Sequence, residues 1–354
     1  MTTARRRAET FCARFGLRLP VLLAPMAGAS PPALSIAVAN AGGMGGCGAL
    51  LLEPDAITGW AGAFRSASNG AFQINLWVPD PPPVRDPAAE ARVREFLGQW
   101  GPAVPPEAAD AVPPDFAAQC EAILAAGPAA VSSIMGLYPA AFVARLRDRG
   151  IAWFACVTSL REAQAAAAAG ADALVVQGAE AGGHRGAFDP ADAARNSGTL
   201  FALLPRIADQ VALPLIATGG IVDGRGIAAA LTLGASAVQI GTGLLRTAEA
   251  GVHPAWSAAL ARTEADGTVQ TRALSGRLGR SVATAYALAA ADGPAPAPYP
   301  VQRALTAAMR AQAQRDGDPE RMQLWAGQAA ALARAAPAGD VVREAWDAAR
   351  ALLP

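Results

Sequence analysis

Eight short apolar runs, spaced by stretches of helical periodicity, constrain this chain more than any other feature. They occupy residues 21–26 (Val-Leu-Leu-Ala-Pro-Met), 42–48 (a glycine-rich strand or turn), 71–78 (Ala-Phe-Gln-Ile-Asn-Leu-Trp-Val), 129–135, 152–157, 173–178, 214–219 (Pro-Leu-Ile-Ala-Thr-Gly) and 237–241. Continuous apolar runs of this kind suit parallel strands covered on both faces. Helical stretches alternate with them at 31–41, 53–64, 115–126, 139–149, 160–169, 199–211 and 224–233. Eight strand–helix units is the count that closes a (β/α)8 TIM barrel. A doubly wound open sheet is the alternative, but it normally has fewer strands and a glycine fingerprint in its first turn. No G-x-G-x-x-G follows residues 21–26.

The rhythm breaks once, at residues 79–114, a Pro-rich segment with one charged helical piece around 90–100. A long insertion in a compact domain is usually a lid or a mobile connection. Beyond about residue 252 strand signals stop, and the chain reads as helical with a Pro-rich link at 293–300. We therefore expect a barrel over residues 1–252, with its insertion at about 79–114. A helical C-terminal lobe over 253–354 should pack over it, and both additions should cover the carboxyl ends of the strands. With 354 residues, 53% of them hydrophobic, the chain can bury a core of that size.

Charge removes several function classes. The formal net charge is +0, without the basic patch of a nucleic-acid protein. Every apolar run is interrupted short of a membrane span, and the first ten residues carry three arginines with no apolar core behind them. These features point to a cytoplasmic protein with no nucleic-acid or membrane partner. Cys12, Cys47, Cys120 and Cys156 lack metal-ligand spacing, so buried free thiols and no metal site are expected. The chain contains no lysine, which excludes a P-loop lysine and a Schiff-base lysine and leaves few general bases.

Residues 175–186 read Val-Val-Gln-Gly-Ala-Glu-Ala-Gly-Gly-His-Arg-Gly. A buried strand ends at Gln177, and Gly182 and Gly183 deliver His184, one of only two histidines. Polar, glycine-bounded residues at strand carboxyl ends are where parallel α/β folds keep their chemistry. Two more glycine turns follow, Thr218-Gly219-Gly220-Ile221 after the seventh run and Gln239-Ile240-Gly241-Thr242-Gly243 after the eighth. In barrels these two loops commonly bind phosphate through backbone N–H groups and a helix amino terminus. Close strand–helix packing is the competing reason for such glycines. The neutral amides of Asn75, Gln177 and Gln239 suit a flavin ring better than a sugar polyphosphate, which would call for Arg or Lys.

On these residues the chain resembles the nitronate monooxygenases, formerly 2-nitropropane dioxygenases, which are FMN-dependent barrel enzymes. The likeness rests on Ala24-Pro25-Met26-Ala27-Gly28, Asn40-Ala41-Gly42-Gly43, Gln73-Ile74-Asn75-Leu76 and the run from Gln177 to Gly186. It extends to the Gly219-Gly220-Ile221 turn, Gln239-Ile240-Gly241-Thr242 and Leu324-Trp325-Ala326-Gly327-Gln328, the last similar to the class I branch. Flavin enoyl-acyl-carrier-protein reductases share the fold and a similar Gly-Gly-His. The Gln-Gly before Glu180 and the carboxyl-terminal motif favour the monooxygenase. One departure is Val131-Ser132-Ser133, which lacks the aromatic residue expected after Val-Ser and touches substrate preference rather than flavin binding.

The resemblance implies roles. Met26 would meet FMN through its backbone, and Asn75, Gln177, Gly182, Gly183, Gly219, Gly220, Gln239, Ile240, Gly241 and Thr242 would complete its site. His184 would be the catalytic residue, either a base towards neutral nitroalkanes or a polar partner of the nitronate. The activity implied is oxidation of alkyl nitronates with O2 to a carbonyl compound and nitrite or nitrate. The alternatives are an FMN-dependent NAD(P)H reductase acting on a quinone or enoyl thioester, and a flavin-binding barrel without turnover. Glu180 is expected to fix its turn, Arg185 to attract an anion or form an exposed salt bridge, His253 to lie on the surface, and Tyr299 to cap the pocket.

Overall fold

The computed structural model describes residues 3–353. Residues 1–2, which begin the expected 1–252 segment, and residue 354, which ends the 253–354 segment, lie outside the described residues. The strands are β1 (Val21–Leu23), β2 (Gly45–Gly48), β3 (Phe72–Trp77), β4 (Ala130–Ile134), β5 (Ala152–Val157), β6 (Ala173–Gln177), β7 (Gly183–His184), β8 (Leu215–Thr218), β9 (Ala237–Ile240), β10 (Thr268–Thr271) and β11 (Gly279–Val282). The helices of the first half are α1 (Ala4–Phe15), α2 (Pro32–Ala41), α3 (Pro54–Arg65), α4 (Pro87–Leu97), α5 (Phe116–Ala126), α6 (Ala140–Asp148) and α7 (Leu160–Ala168). Those of the second half are α8 (Leu200–Ala208), α9 (Gly224–Thr232), α10 (Pro254–Leu260), α11 (Ala285–Ala289), α12 (Val301–Leu305), α13 (Ala307–Asp316) and α14 (Ala338–Leu352).

Eight strands form one parallel sheet in the order β1-β9-β8-β6-β5-β4-β3-β2. Each of the eight apolar runs contains one of them. The ends meet where Leu22 bridges Met44, with the Leu23 N–H donating to the Met44 carbonyl at 2.9 Å. The result is a (β/α)8 TIM barrel. Alternation along the strands sorts side chains between two layers. Val21, Leu23, Trp153, Ala155, Leu174 and Val176 point outward into the helical shell. Leu22, Met44, Phe154, Cys156, Val175 and Ile216 fill the interior. Fully burying one such large side chain contributes roughly 1.5–3 kcal/mol. The amino end of the barrel is plugged by α1, whose Phe11 and Phe15 rings lie 6.3 and 5.3 Å from that of Phe154. All four cysteines are buried and free.

Two residues further along the strands three inward positions turn from apolar to polar, Ser132 after Ala130, Gln177 after Val175 and Gln239 after Ala237, while β3 is polar at both levels, with Gln73 and Asn75. The barrel therefore has an apolar floor and an amide-lined upper layer at its carboxyl end.

The region beyond residue 252 is helical in part, as expected, but it also supplies two strands. β11 pairs antiparallel with β10 and with β7, in a register that sets Gly279 opposite His184 and Arg280 opposite Gly183. These strands are four residues long and mostly polar or small, so no apolar run announces them. The insertion packs against this region in one apolar cluster that joins Val93, Leu97 and Val104 to Leu274, Tyr286 and Leu305. An ion pair between the half-buried Asp80 and the buried Arg277 adds a second tie. Helix α14 returns to the flank of the barrel, where Ala338, Val341, Val342, Ala345 and Ala349 join the main core beside α9 and α2. Among the described residues no helix is long and apolar enough to cross a membrane.

Candidate active site

A cavity of about 560 Å3 opens at the carboxyl end of the barrel. Its walls come from the ends of all eight barrel strands, from the His184 turn, and from Ser275, Tyr299, Arg303, Arg310 and Trp325 of the C-terminal region. Met26, Asn75, Gln177, Gly182, Gly183, His184, Gly219, Gly220, Gln239, Gly241 and Thr242 all line it. Ile240 does not: it is fully buried, and its carbonyl accepts from the Ala24 N–H at 2.9 Å.

The two glycine turns present bare donors. Gly219 and Gly220 have φ of 118° and 68°, a left-handed backbone that favours glycine. Among the described residues no acceptor engages the N–H groups of Gly219, Gly220, Gly241 or Thr242. One element of the expected anion site differs. The amino terminus of α9 is already capped, because the Asp223 carboxylate accepts from the N–H groups of Arg225 and Gly226 at 3.0 and 3.3 Å. The N–H groups of Arg225 and Gly226 are therefore not available to an anion, whereas those of the turns are.

The amides divide their work. Asn75 gives its NH2 to the Ser132 carbonyl and hydroxyl at 3.0 and 3.1 Å, which leaves its side-chain oxygen free to accept. Gln239 accepts from Gln73 at 2.9 Å and keeps its own NH2 free. Gln177 is mostly committed to the neighbouring turn, donating to the His184 carbonyl at 2.9 Å and accepting from the Gly186 N–H at 2.8 Å. Met26 departs from the expected backbone contact. Its N–H donates to the Ser30 hydroxyl at 3.1 Å and its carbonyl accepts from Ala29 and Ser30, so its backbone polar groups are already engaged, although the residue lines the cavity.

His184 sits between two indoles, with ring centroids 4.8 Å from Trp77 and 4.7 Å from Trp325. Its Nε2 lies 2.7 Å from the Ser275 hydroxyl. Burial, aided by the positive charges of Arg277 and Arg303, lowers its pKa from 6.5 to about 3. The imidazole is therefore neutral across the physiological range. Trp325 also belongs to the segment that seals the site. The Gly327 N–H donates to the Thr242 hydroxyl, and the Gln328 N–H to the Glu180 carbonyl, both at 3.0 Å. A Cβ on Gly182 would lie 2.5 Å from the Gly327 nitrogen, so only glycine allows this approach.

Glu180 fixes its turn as expected, accepting from the Leu200 N–H at the start of α8 at 3.0 Å. Arg185 does neither thing expected of it. It is buried and donates to the carbonyls of Asn196 and Gln177 at 2.7 and 2.5 Å, bracing the strand end from below. His253 is not simply on the surface: half-buried, it lines the cavity and caps α10, its Nδ1 accepting from the Ala255 N–H at 3.1 Å. Tyr299 covers the site with its ring 5.3 Å from Trp77.

Sequence reading missed Arg303 and Ser275. Arg303 is half-buried against the cavity, and among the described residues no hydrogen bond or ion pair engages its guanidinium. Its neighbour Arg310, by contrast, is held by Thr306, Gln323 and the Arg303 carbonyl at 3.2, 3.0 and 2.9 Å. Ser275 lies 91 residues from its partner histidine, a separation that no local pattern marks.

Comparison with known proteins agrees with this construction. The family described as Nitronate monooxygenase matches residues 9–346. A nitronate monooxygenase of Paraburkholderia phytofirmans is 40% identical over 337 residues, 93% of this chain and 92% of that one. One from Pseudomonas aeruginosa is 39% identical over 352 residues, covering 95% and 97%. A solved nitroalkane oxidase from Streptomyces ansochromogenes superposes with a TM-score of 0.87 at 34% identity, covering 97% of this chain and 99% of that one. FabK from Thermotoga maritima follows with a TM-score of 0.75 at 25% identity, covering 99% and 97%. The chain belongs to the nitronate monooxygenase family and is an oxidoreductase.

Proposed function

We propose that this protein binds FMN at the carboxyl end of its barrel and oxidises alkyl nitronates, with neutral nitroalkanes as a second substrate class and O2 as the final acceptor. The observation that carries the reading is a neutral, enclosed imidazole facing the same cavity as a set of unpaired amide donors and one unpaired guanidinium. The residues fit the cofactor. The free N–H groups of Gly219, Gly220, Gly241 and Thr242 form a charge-neutral cradle for a phosphate. The free side-chain oxygen of Asn75 and the free NH2 of Gln239 offer one acceptor and one donor to a heteroaromatic ring edge. Bound flavin would supply the electron-accepting ring.

The chain's own residues do the rest. A nitronate is a carbanion already stabilised on two oxygens, and it needs an anion partner more than a base. Arg303 meets that need, because its guanidinium reaches the cavity without a competing carboxylate. A neutral nitroalkane must first lose a carbon-bound proton, and His184, being unprotonated, takes it. Trp77, Tyr299 and Trp325 wall the substrate from water.

Removing the charge with Arg303→Met should raise the KM for nitronates about tenfold to a hundredfold, the range of one lost charge-assisted hydrogen bond, with kcat nearly unchanged. Unchanged steady-state constants would take the anion away from Arg303. The reading as a whole is tested by anaerobic absorption titration of the purified protein with a nitronate and, separately, with NADH. Bleaching of a flavin band by the nitronate, with carbonyl product and O2 consumption on aeration, is the expected result. Fast bleaching by NADH alone would move the protein to the NAD(P)H-reductase reading. Bound flavin with no turnover of any nitronate would leave a binding barrel.

A further inference from the structure

We infer that Ser275 is a positioning residue that fixes the tautomer of His184, holding the ring proton on Nε2 and leaving Nδ1 as the basic atom. The argument is one of proton counting. The Ser275 hydroxyl has one proton and two neighbours, the Arg277 carbonyl at 3.2 Å and His184 Nε2 at 2.7 Å. A carbonyl can only accept, so it takes the hydroxyl proton. The imidazole nitrogen must then be the donor on the shorter contact, and a neutral ring that donates from Nε2 carries its lone pair on Nδ1.

The surroundings hold this arrangement in place. Ser275 and Arg277 are 1% and 2% exposed, and Ser275 is the sole hydrogen-bond donor to the Arg277 carbonyl among the described residues. Rotating the hydroxyl towards His184 would strand that carbonyl away from water. Arg277 itself does not move freely. Its guanidinium is clamped by Asp80 and by the Ala187 carbonyl at 3.1 Å. The pairing of β7 with β11 sets the distance between the His184 backbone and the chain that carries Ser275. Among the described residues no group hydrogen-bonds to Nδ1. The ion pair from the insertion, the C-terminal strand and the serine thus act in series on one ring.

The inference deepens the base role assigned to His184 and rests on that reading, but its test does not. The chain has two histidines, so a 15N spectrum of the flavin-loaded, histidine-labelled protein contains two rings, and His253→Asn assigns them. The expected spectrum for His184 has a protonated-type Nε2 and an unprotonated-type Nδ1, without titration between pH 5 and pH 8. Ser275→Ala should move both shifts towards a tautomer mixture and lower kcat on a neutral nitroalkane about tenfold to a hundredfold, well short of the roughly ten-thousand-fold loss known when a catalytic histidine is forced into the wrong tautomer. Ser275→Thr keeps the hydroxyl and should restore both. A protonated Nδ1 in the wild type, or shifts unmoved in Ser275→Ala, overturns the inference. Correct shifts in a protein that turns over no nitroalkane would retain it and remove the base role instead.

Discussion

Gly220→Asp should purify as a folded, colourless protein. The residue lies in the turn after β8 with φ of 68°, and its N–H is one of the four unpaired donors facing the cavity. Two effects act together. A non-glycine residue is strained at this φ, and a Cβ there would sit 3.2 Å from the Glu180 Cβ. A carboxylate beside a bound phosphate would add repulsion in a partly enclosed site, where screening is weak. Gly220→Ala carries the strain without the charge and separates the two. It should keep part of the flavin, while the aspartate variant keeps almost none. Flavin content per chain, read from the absorbance ratio of cofactor to protein, decides this, with circular dichroism as the check on folding. Full flavin in Gly220→Asp would remove the phosphate from this turn.

The barrel was legible because most strands that close it are short apolar runs ended by glycine, proline or an amide (β5, which runs into Thr158, is the exception), and the helices between them are long enough to show their period. The C-terminal region was less legible for a physical reason. β10 and β11 owe their existence to pairing with each other and with the two-residue β7, not to burial of an alternating apolar face: the buried positions of β11 are Gly279 and Ser281. A strand stabilised chiefly by its partner leaves no hydrophobic signature. The site divides along the same line. His184 and the glycine turns announced themselves through local composition. Arg303 and Ser275 acquire meaning only through what surrounds them, one by lacking a partner and the other by having two. Arg185 and Met26 show the converse, since both stand in informative motifs yet spend their hydrogen bonds holding those motifs in shape.

His184→Asn should retain FMN and lose nearly all turnover of neutral nitroalkanes. None of the free donors of the glycine turns belongs to His184, so flavin content is expected to stay near that of the wild type. General-base catalysis is typically worth about a hundred- to ten-thousand-fold, and the chain offers no lysine in its place. Nitronate turnover should fall far less, because the proton is already gone and the anion is answered by Arg303. The pH dependence supplies an independent check. A histidine whose pKa burial and two arginines have lowered to about 3 is deprotonated throughout the working range. The base is therefore fully available above that value, and kcat/KM on a neutral nitroalkane should show no acidic limb near the usual histidine pKa of 6.5. In Arg303→Met one of the depressing charges is gone, so the pKa rises and any acidic limb moves up in pH. Measuring both substrates with both proteins at matched flavin content separates the roles. A selective loss on the nitroalkane identifies a base, equal losses on both substrates reduce His184 to positioning, and no loss on either places the chemistry elsewhere in the cavity.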